Sequence, residues 1–366
     1  MKIKAAILRQ VNTPFRVETL DLDAPREGEV LVKIAATGVC RSDLHLRTGT
    51  TRHPLPVVVG HEGAGVVDSV GPGVTRIRPG DPVILNWAPY CGSCFYCRRH
   101  QPNLCSTYVE PAWAGTMLDG TTRLSSSGQR VYHYCMLACF AEYAVVPEKS
   151  CVPLVEGVPL TVGALIGCAV TTGVGSVLNT AAVPPGSSVV VWGVGGVGLS
   201  TVMGARYAGA GRIIAVDRFE QKNRLALEVG ATDTLIASPS TVEDIRELTG
   251  GRGADYVFDT TGSPAVQEAC LEAARPGGTA ILSGLAPMGS TTNLPGSLIT
   301  RQEKTIKGSY YGSADTARDF ALYADLFLKK ELPLDKLISR TYRLAEINEA
   351  FDDMEHGLNA RGVVVF

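Results

Sequence analysis

The sequence predicts a two-domain α/β protein, an all-β unit joined to a doubly wound parallel sheet, and three observations carry that expectation. Its 366 residues exceed what a single core usually organises, and chains of this length divide into domains. The stretch from Met1 to about Ser150 is rich in Val, Gly and Pro and carries short alternating runs such as EVLVKIAATGV, GAGVVDSVG and DPVILNWA. Farther on, SSVVVWGVGGVGLSTVMGARYAG passes from an apolar run through a glycine turn into helical spacing.

The alternating runs come first. Side chains on a strand point to opposite faces, so period-two patterning bounded by Gly and Pro reads as short strands with tight turns. From Gly157 to Met203 no residue is charged, which raises the question of a membrane span. Thr161, Thr171, Thr172, Asn179, Thr180, Pro184, Pro185 and many glycines interrupt the stretch, leaving no apolar run of the roughly 20 residues a bilayer demands. Buried helix, loop and strand are expected there. Beyond it, RIIAVD, ADYVFDTTG and TAILSGLA read as buried strands between the helical stretches FEQKNRLALEVG and PAVQEACLEAA. Alternation of β and α implies a parallel sheet covered by helices on both faces. From about Tyr311 the helical ADTARDFALYADLFLKK and EINEAFDDMEHG precede a final strand, RGVVVF, and no internal repeat occurs.

Composition narrows the function classes. With 34 basic and 36 acidic residues and a net charge of -2, no surface built for phosphate backbones or anionic lipid is expected. Nucleic acid and membrane are therefore disfavoured as partners. The N-terminal run MKIKAAILRQ breaks its short apolar stretch at Arg9 and Gln10, so it reads as a mature cytosolic start rather than a leader. Ten cysteines in an intracellular chain point to metal and free thiols.

Cys91, Cys94, Cys97 and Cys105 stand as C-x2-C-x2-C-x7-C, a spacing that suits four thiolates around one tetrahedral zinc. Thiolates repel one another unless a soft dication neutralises them, and disulfides are the weaker alternative. A closed four-sulfur site leaves no position for substrate, so its expected role is structural.

Gly193, Gly195 and Gly198 form G-x-G-x-x-G directly after the strand VVVW, with Gly196 and Val197 between them. In that context the first two glycines permit a tight turn and close approach to a pyrophosphate, and the third lets helix pack on strand. Asp217 ends the next strand, where a carboxylate suits both hydroxyls of an adenine ribose and repels a 2′-phosphate. NAD is expected over NADP, with Arg218 beside it softening the preference.

Cys40 in GVCRSDLH, His61 in VVVGHEGAG and Cys168 in LIGCAVTTG would make the Cys2His set of a catalytic zinc with an open fourth position. Spacing alone leaves buried thiols and a core histidine as the plainer alternative. GVCRSDLH, GHEGAGVV, the four-cysteine lobe, GTMLDGTTR, LIGCAVTTGVGS, GVGGVGLS, IIAVD and RGVVVF together resemble, nearly end to end, the zinc-dependent alcohol dehydrogenases of the medium-chain dehydrogenase/reductase superfamily, in their longer animal and plant classes. The resemblance implies a GroES-like catalytic domain over residues 1–169 with a structural zinc lobe, a Rossmann NAD-binding domain over 170–310, and a return segment over 311–366.

It further implies two zinc ions per subunit and an NAD cofactor, with Cys40, His61 and Cys168 holding the catalytic ion, Asp43 orienting His61, and Glu62 as a nearby acid. Ser42 and His45 match a proton relay toward solvent. Arg41 and Arg361 match two arginines that clamp the cofactor pyrophosphate, Lys222 a contact to the adenosine ribose, and Thr172 and Val197 residues pressing on the nicotinamide. Trp87 and Tyr134 match aromatic walls of the alcohol channel, which suggests medium-length or aromatic primary alcohols and their aldehydes. The segment TTNLPGSLITRQEKTIKGSYYG is implied to pair with its copy in a homodimer, a tetramer remaining open. Two competing functions stand beside this one. A thiol-dependent formaldehyde dehydrogenase would need acidic residues in TGTTRHPLP and an arginine in CSTYVEP, both missing, although Arg52 remains for another thiol. A non-catalytic NAD- and zinc-binding protein would have no use for Cys40, Ser42, His45, His61 and Cys168 together.

Overall fold

A computed structural model describes residues 1–366. The chain forms two compact units, one of Met1–Ala169 with Asp315–Lys329 and Ile338–Phe366, the other of Val170–Ala314 with Lys330–Leu337. The expected return segment is therefore divided. Residues 311–314 belong with the second unit because Gly312 lies against the backbone of Thr171 and Gly175 and Ser313 shares a hydrogen bond with Thr180.

In the first unit, strands Lys2–Leu8, Arg16–Leu22, Leu124–Ser126, Gln129–His133 and Val57–Val58 close a small barrel. A second sheet runs in the order Cys151–Pro153, Pro82–Leu85, Gly63–Val70, Glu29–Gly38, Arg361–Val365 and Ile338–Arg343, with Tyr143–Pro147 also pairing to Glu29–Gly38. The central strand Glu29–Gly38 exposes only Lys33, since neighbours cover both its faces and alternation gives way to near-continuous burial. The late strand Arg361–Val365 pairs antiparallel with it, Val363 opposite Gly38, and so brings the end of this sequence beside its beginning.

One charge cluster lies inside this unit. The Arg123 guanidinium is buried and donates to both oxygens of Glu29 at 2.8 and 2.5 Å and to Asp119 at 2.8 Å. A charge withdrawn from water is tolerable only when paired this completely, and the pairing ties the loop from Gly115 to Arg123 to the first residue of the strand Glu29–Gly38 in the second sheet.

The second unit is a six-stranded sheet in the order Asp233–Ile236, Arg212–Asp217, Ser188–Trp192, Ala254–Asp259, Ala274–Leu282, Thr305–Gly308. Every pairing is parallel. The first strand in sequence sits in the middle, and the winding reverses beside it, which is the doubly wound arrangement with its ligand crevice at the reversal. Helices Gly196–Tyr207, Glu220–Val229, Thr241–Leu248 and Pro264–Ala273 make crossovers. The first of these packs so tightly that a Cβ on Gly198 would lie 1.9 Å from the Gly193 carbonyl oxygen, so the third glycine of the motif cannot be replaced without moving the turn.

Leu160–Ala181 is one helical stretch of 22 residues, with Cys168 in a wide π-type turn at Ile166–Val170. It is long and apolar enough to cross a membrane, yet 89% of its most apolar window is buried. That burial marks a core helix.

Candidate active site

Three separate elements deliver the candidate catalytic ligands. Cys40 precedes the helix Arg41–Arg47, His61 follows the strand Val57–Val58, and Cys168 sits in the wide turn. The two Sγ atoms and a His61 ring nitrogen lie within 4.8 Å of one another, all buried. His61 Nε2 is 3.3 Å from Cys168 Sγ, and Nδ1 is 3.1 Å from Asp43 Oδ1, which also accepts the Gly60 amide at 2.9 Å. A carboxylate on Nδ1–H fixes the tautomer and leaves the Nε2 lone pair facing the two sulfurs.

The electrostatics agree with a cation-seeking site. The Cys40 thiol is pulled well below the ordinary thiol range, first by its hydrogen bond with Cys168 and then, against burial, by Arg361 and His61. Cys168 is pushed well above that range by the same hydrogen bond and by burial. Two sulfurs thus share a proton that a metal would displace. Burial also pushes the Glu62 carboxyl up to about 7, against the pull of Arg361, whose guanidinium lies 3.5 Å away. Asp43 Oδ2 and Glu62 Oε2 are buried without a hydrogen-bond partner. The donor set of two thiols and an imidazole with one buried acid behind it fits zinc with an open coordination position.

Around this cluster stand aromatic rings. Tyr134 meets His61 edge-on at 5.3 Å between ring centroids, and Trp87 does so at 6.2 Å. His53 and Trp113 pack against Tyr134 at 5.6 and 6.3 Å. Neither Trp113 nor His53 stands out in the sequence, because only tertiary packing brings them to Tyr134. Ser42 Oγ lies 3.8 Å from Cys40 Sγ, and His45, three positions on along the same helix, shares its face. His45 is half-buried, and burial holds its pKa below the ordinary histidine value. Arg41 is exposed, whereas Arg361 is buried and donates to the Val39 carbonyl at 2.8 Å.

In the four-cysteine lobe every Sγ lies within 4.8 Å of the others. The separations of 3.5 Å for Cys94–Cys97, 3.8 Å for Cys94–Cys105 and 3.9 Å for Cys91–Cys97 are far beyond a disulfide bond length of about 2.05 Å. Amides of Ser93 and Cys94 point at Cys91 Sγ at 3.4 and 3.3 Å. The Thr107 hydroxyl and these donors hold Cys91 down at about 5, whereas burial pushes Cys97 up to about 12. Four sulfurs about one centre, with amides supporting the charge, fit a closed structural zinc site.

In the second unit, Gly193 (φ +89), Gly195, Gly196 and Gly198 form the turn into helix Gly196–Tyr207, with Val197 in its first turn. Asp217 Oδ2 accepts the Val194 amide at 2.9 Å and Oδ1 the Phe219 amide at 3.0 Å, so this carboxylate ties the glycine loop to the next strand. Arg218 and Lys222, both expected near the adenosine ribose, flank the Phe219 ring at 4.8 and 5.2 Å. Thr172 is buried in the helix that packs on Gly196–Tyr207.

Two nested folds and two sulfur clusters define a class, the zinc-binding dehydrogenases with a GroES-like domain. Comparison with known proteins agrees: residues 26–156 match the alcohol dehydrogenase GroES-like domain family and residues 196–329 the zinc-binding dehydrogenase family. The chain belongs to the zinc-containing medium-chain alcohol dehydrogenases. It is 40% identical over 372 residues to the NDMA-dependent alcohol dehydrogenase of Amycolatopsis methanolica, covering 100% of this chain and 99% of that protein. Among solved structures, the benzyl alcohol dehydrogenase of Acinetobacter calcoaceticus superposes with a TM-score of 0.94 at 32% identity, over 100% of this chain and 99% of that one. An alcohol dehydrogenase zinc-binding domain protein from Burkholderia ambifaria gives 0.94 at 35% identity with the same coverage. The chain is an alcohol dehydrogenase with two candidate zinc sites.

Proposed function

We propose that this enzyme oxidises aromatic and medium-length primary alcohols reversibly, with NAD as the hydride acceptor. The observation that carries the substrate class is the aromatic enclosure of His61 by Tyr134 and Trp87. A zinc ion on Cys40, His61 and Cys168 would supply Lewis acidity toward the alcohol oxygen. The rest is the work of the chain. Asp43 holds His61 in one tautomer and orientation. Ser42 and His45, on one helix face, carry the alcohol proton outward, and the depressed pKa of His45 keeps it a neutral acceptor near pH 7. Trp87, Tyr134 and Trp113 exclude water and grip a flat apolar group.

The preference for NAD rests on Asp217, whose charge near the ribose disfavours a 2′-phosphate. Thr172 and Val197 set the nicotinamide face, Arg41 and Arg361 take the pyrophosphate, and Lys222 takes the adenosine ribose. The outer edge of Thr305–Gly308 has no partner strand in this chain, and strand addition from a second copy would form a homodimer.

The test is formation of reduced nicotinamide, followed by its near-ultraviolet absorbance, with zinc-replete protein and benzyl alcohol, hexanol, ethanol, or formaldehyde with and without thiols. Arms with NADP, and with NDMA because of the Amycolatopsis relative, complete it. Turnover of benzyl alcohol with NAD and no thiol requirement is expected. Activity confined to formaldehyde plus a thiol would refute the proposal.

A further inference from the structure

Between the barrel strand Gln129–His133 and the sheet strand Tyr143–Pro147 the chain makes a turn with an unusual backbone. Cys135 (φ 54), Met136 (φ 58) and Ala138 (φ 61) all adopt left-handed conformations, and all three are buried. A Cβ is disfavoured at positive φ, and three such residues within four positions persist only where the surroundings over-determine them. What over-determines this turn is the segment leading to His61. The Tyr134 amide donates to the Val58 carbonyl at 3.1 Å, the Cys139 amide to Gly60 at 2.8 Å and the Phe140 amide to Val59 at 3.0 Å. Thr37 Oγ1 donates to the Cys139 carbonyl at 2.9 Å. Approach is so close that a Cβ on Gly60 would lie 2.6 Å from the Phe140 nitrogen, and one on Gly63 2.6 Å from Cys139 Sγ.

The turn therefore begins at the aromatic wall, Tyr134, and is laced to the three residues directly before His61. We propose that it is a gauge for the site: Cys135 and Ala138 are positioning residues whose left-handed backbone sets the separation of the Tyr134 ring from His61, and with it the width available to an alcohol. This deepens the reading of the enzyme as a dehydrogenase of aromatic alcohols and rests on it. Neither residue touches the reacting atoms. Ala138 adds only a methyl to its backbone conformation, whereas the Cys135 thiol also hydrogen-bonds with Tyr134, so Ala138→Gly isolates the backbone contribution and Cys135→Gly removes that contact as well. A glycine at either position removes the conformational restriction with the loss of few atoms, allowing the turn other shapes and the ring other positions.

The experiment compares wild type with Ala138→Gly and Cys135→Gly. Ser127→Gly serves as a control, relieving a similar angle (φ 49) in the exposed hairpin turn between Leu124–Ser126 and Gln129–His133. Two readouts are taken: benzaldehyde binding by quenching of tryptophan fluorescence, to which Trp87 and Trp113 contribute, and steady-state kinetics giving kcat and KM for benzyl alcohol and ethanol and the KM for NAD. Both turn variants are expected to bind benzaldehyde roughly tenfold more weakly and to raise the benzyl alcohol KM by a similar factor, with kcat and the KM for NAD within about twofold of wild type. Ser127→Gly should leave all four unchanged. Unaltered benzaldehyde affinity in both turn variants would overturn the proposal. So would a parallel fall of kcat for both alcohols accompanied by zinc loss, since that describes a merely structural turn. Wild-type protein that binds benzaldehyde but oxidises no alcohol would refute the functional reading, while the binding series would still decide the gauge.

Discussion

The two sulfur clusters of the first unit are built in opposite ways. In the lobe, Cys91, Cys94, Cys97 and Cys105 come from one short stretch, Cys91, Cys94 and Cys97 are partly exposed, and amides of the same loop support the sulfurs. Cys40, His61 and Cys168 come from three distant elements and are buried, and their support is a carboxylate, Asp43, on the helix that follows Cys40. Bringing the lobe ligands together closes only short loops, which costs little entropy. The buried set has no such economy and must be positioned by the finished fold. A structural centre can thus organise its own surroundings, whereas a reactive one is organised by them.

The sharpest way to break this comparison is to remove one ligand from each cluster. Cys168→Ser is expected to lower kcat by on the order of 10³-fold, the scale of losing a Lewis acid worth several kcal/mol, while zinc content falls from two ions to one and the thermal midpoint changes little. Cys97→Ser should do the reverse: a stability loss of about 3 kcal/mol in denaturant unfolding, since structural zinc sites contribute folding energy directly, with residual activity in the molecules that remain folded. Equal stability losses in the two variants would dissolve the distinction.

A subtler contrast comes from Asp43→Asn, which spares every metal ligand. Loss of the charged orienting partner is expected to weaken zinc at the buried site by roughly 10–100-fold, measured by competition with a chromogenic chelator, and to leave the lobe ion untouched. Acid sensitivity, the smallest effect, must be separated from both sites. His133 is buried and its Nε2 accepts the Arg123 amide at 2.9 Å. Burial, with Arg123 adding to it, lowers its pKa to about 3. A histidine held neutral stabilises the fold fully above its unfolded pKa of about 6.5 and loses that contribution as pH falls toward the folded value. Unfolding free energy should decline by up to about 1.4 kcal/mol per pH unit below pH 6.5 from this group, and His133→Gln should flatten the slope when urea unfolding is followed from pH 8 to pH 5.

The same contrast explains what could be read before the structure. The lobe and the glycine loop were legible because their geometry is local: C-x2-C-x2-C and G-x-G-x-x-G state their chemistry within one turn of chain. Cys40, His61 and Cys168 share a ligand chemistry by residue type but no local spacing, and it was the resemblance to a family that joined them. Trp113, in the helix after the lobe, gave no sign that it would meet Tyr134. Arg123, within GTMLDGTTR, gave no local sign that it would be buried, because its partner Glu29 lies 94 residues away in the chain. The left-handed turn was invisible for the opposite reason: Cys, Met and Ala are not residues that announce positive φ, and only the surrounding hydrogen bonds hold them there.

Arg361 carries one more consequence. It donates to the Val39 carbonyl from 322 residues downstream and stands beside Glu62, on the strand that pairs with Glu29–Gly38. A ribosome making this chain releases Cys40, His61 and the whole lobe long before it reaches that arginine. At roughly 5–20 residues per second, the four lobe cysteines are available for many seconds while Glu62, the acid behind the other cluster, still lacks its counter-charge. The order of synthesis thus separates the two clusters in time, with the lobe cysteines complete well before the counter-charge behind the buried set.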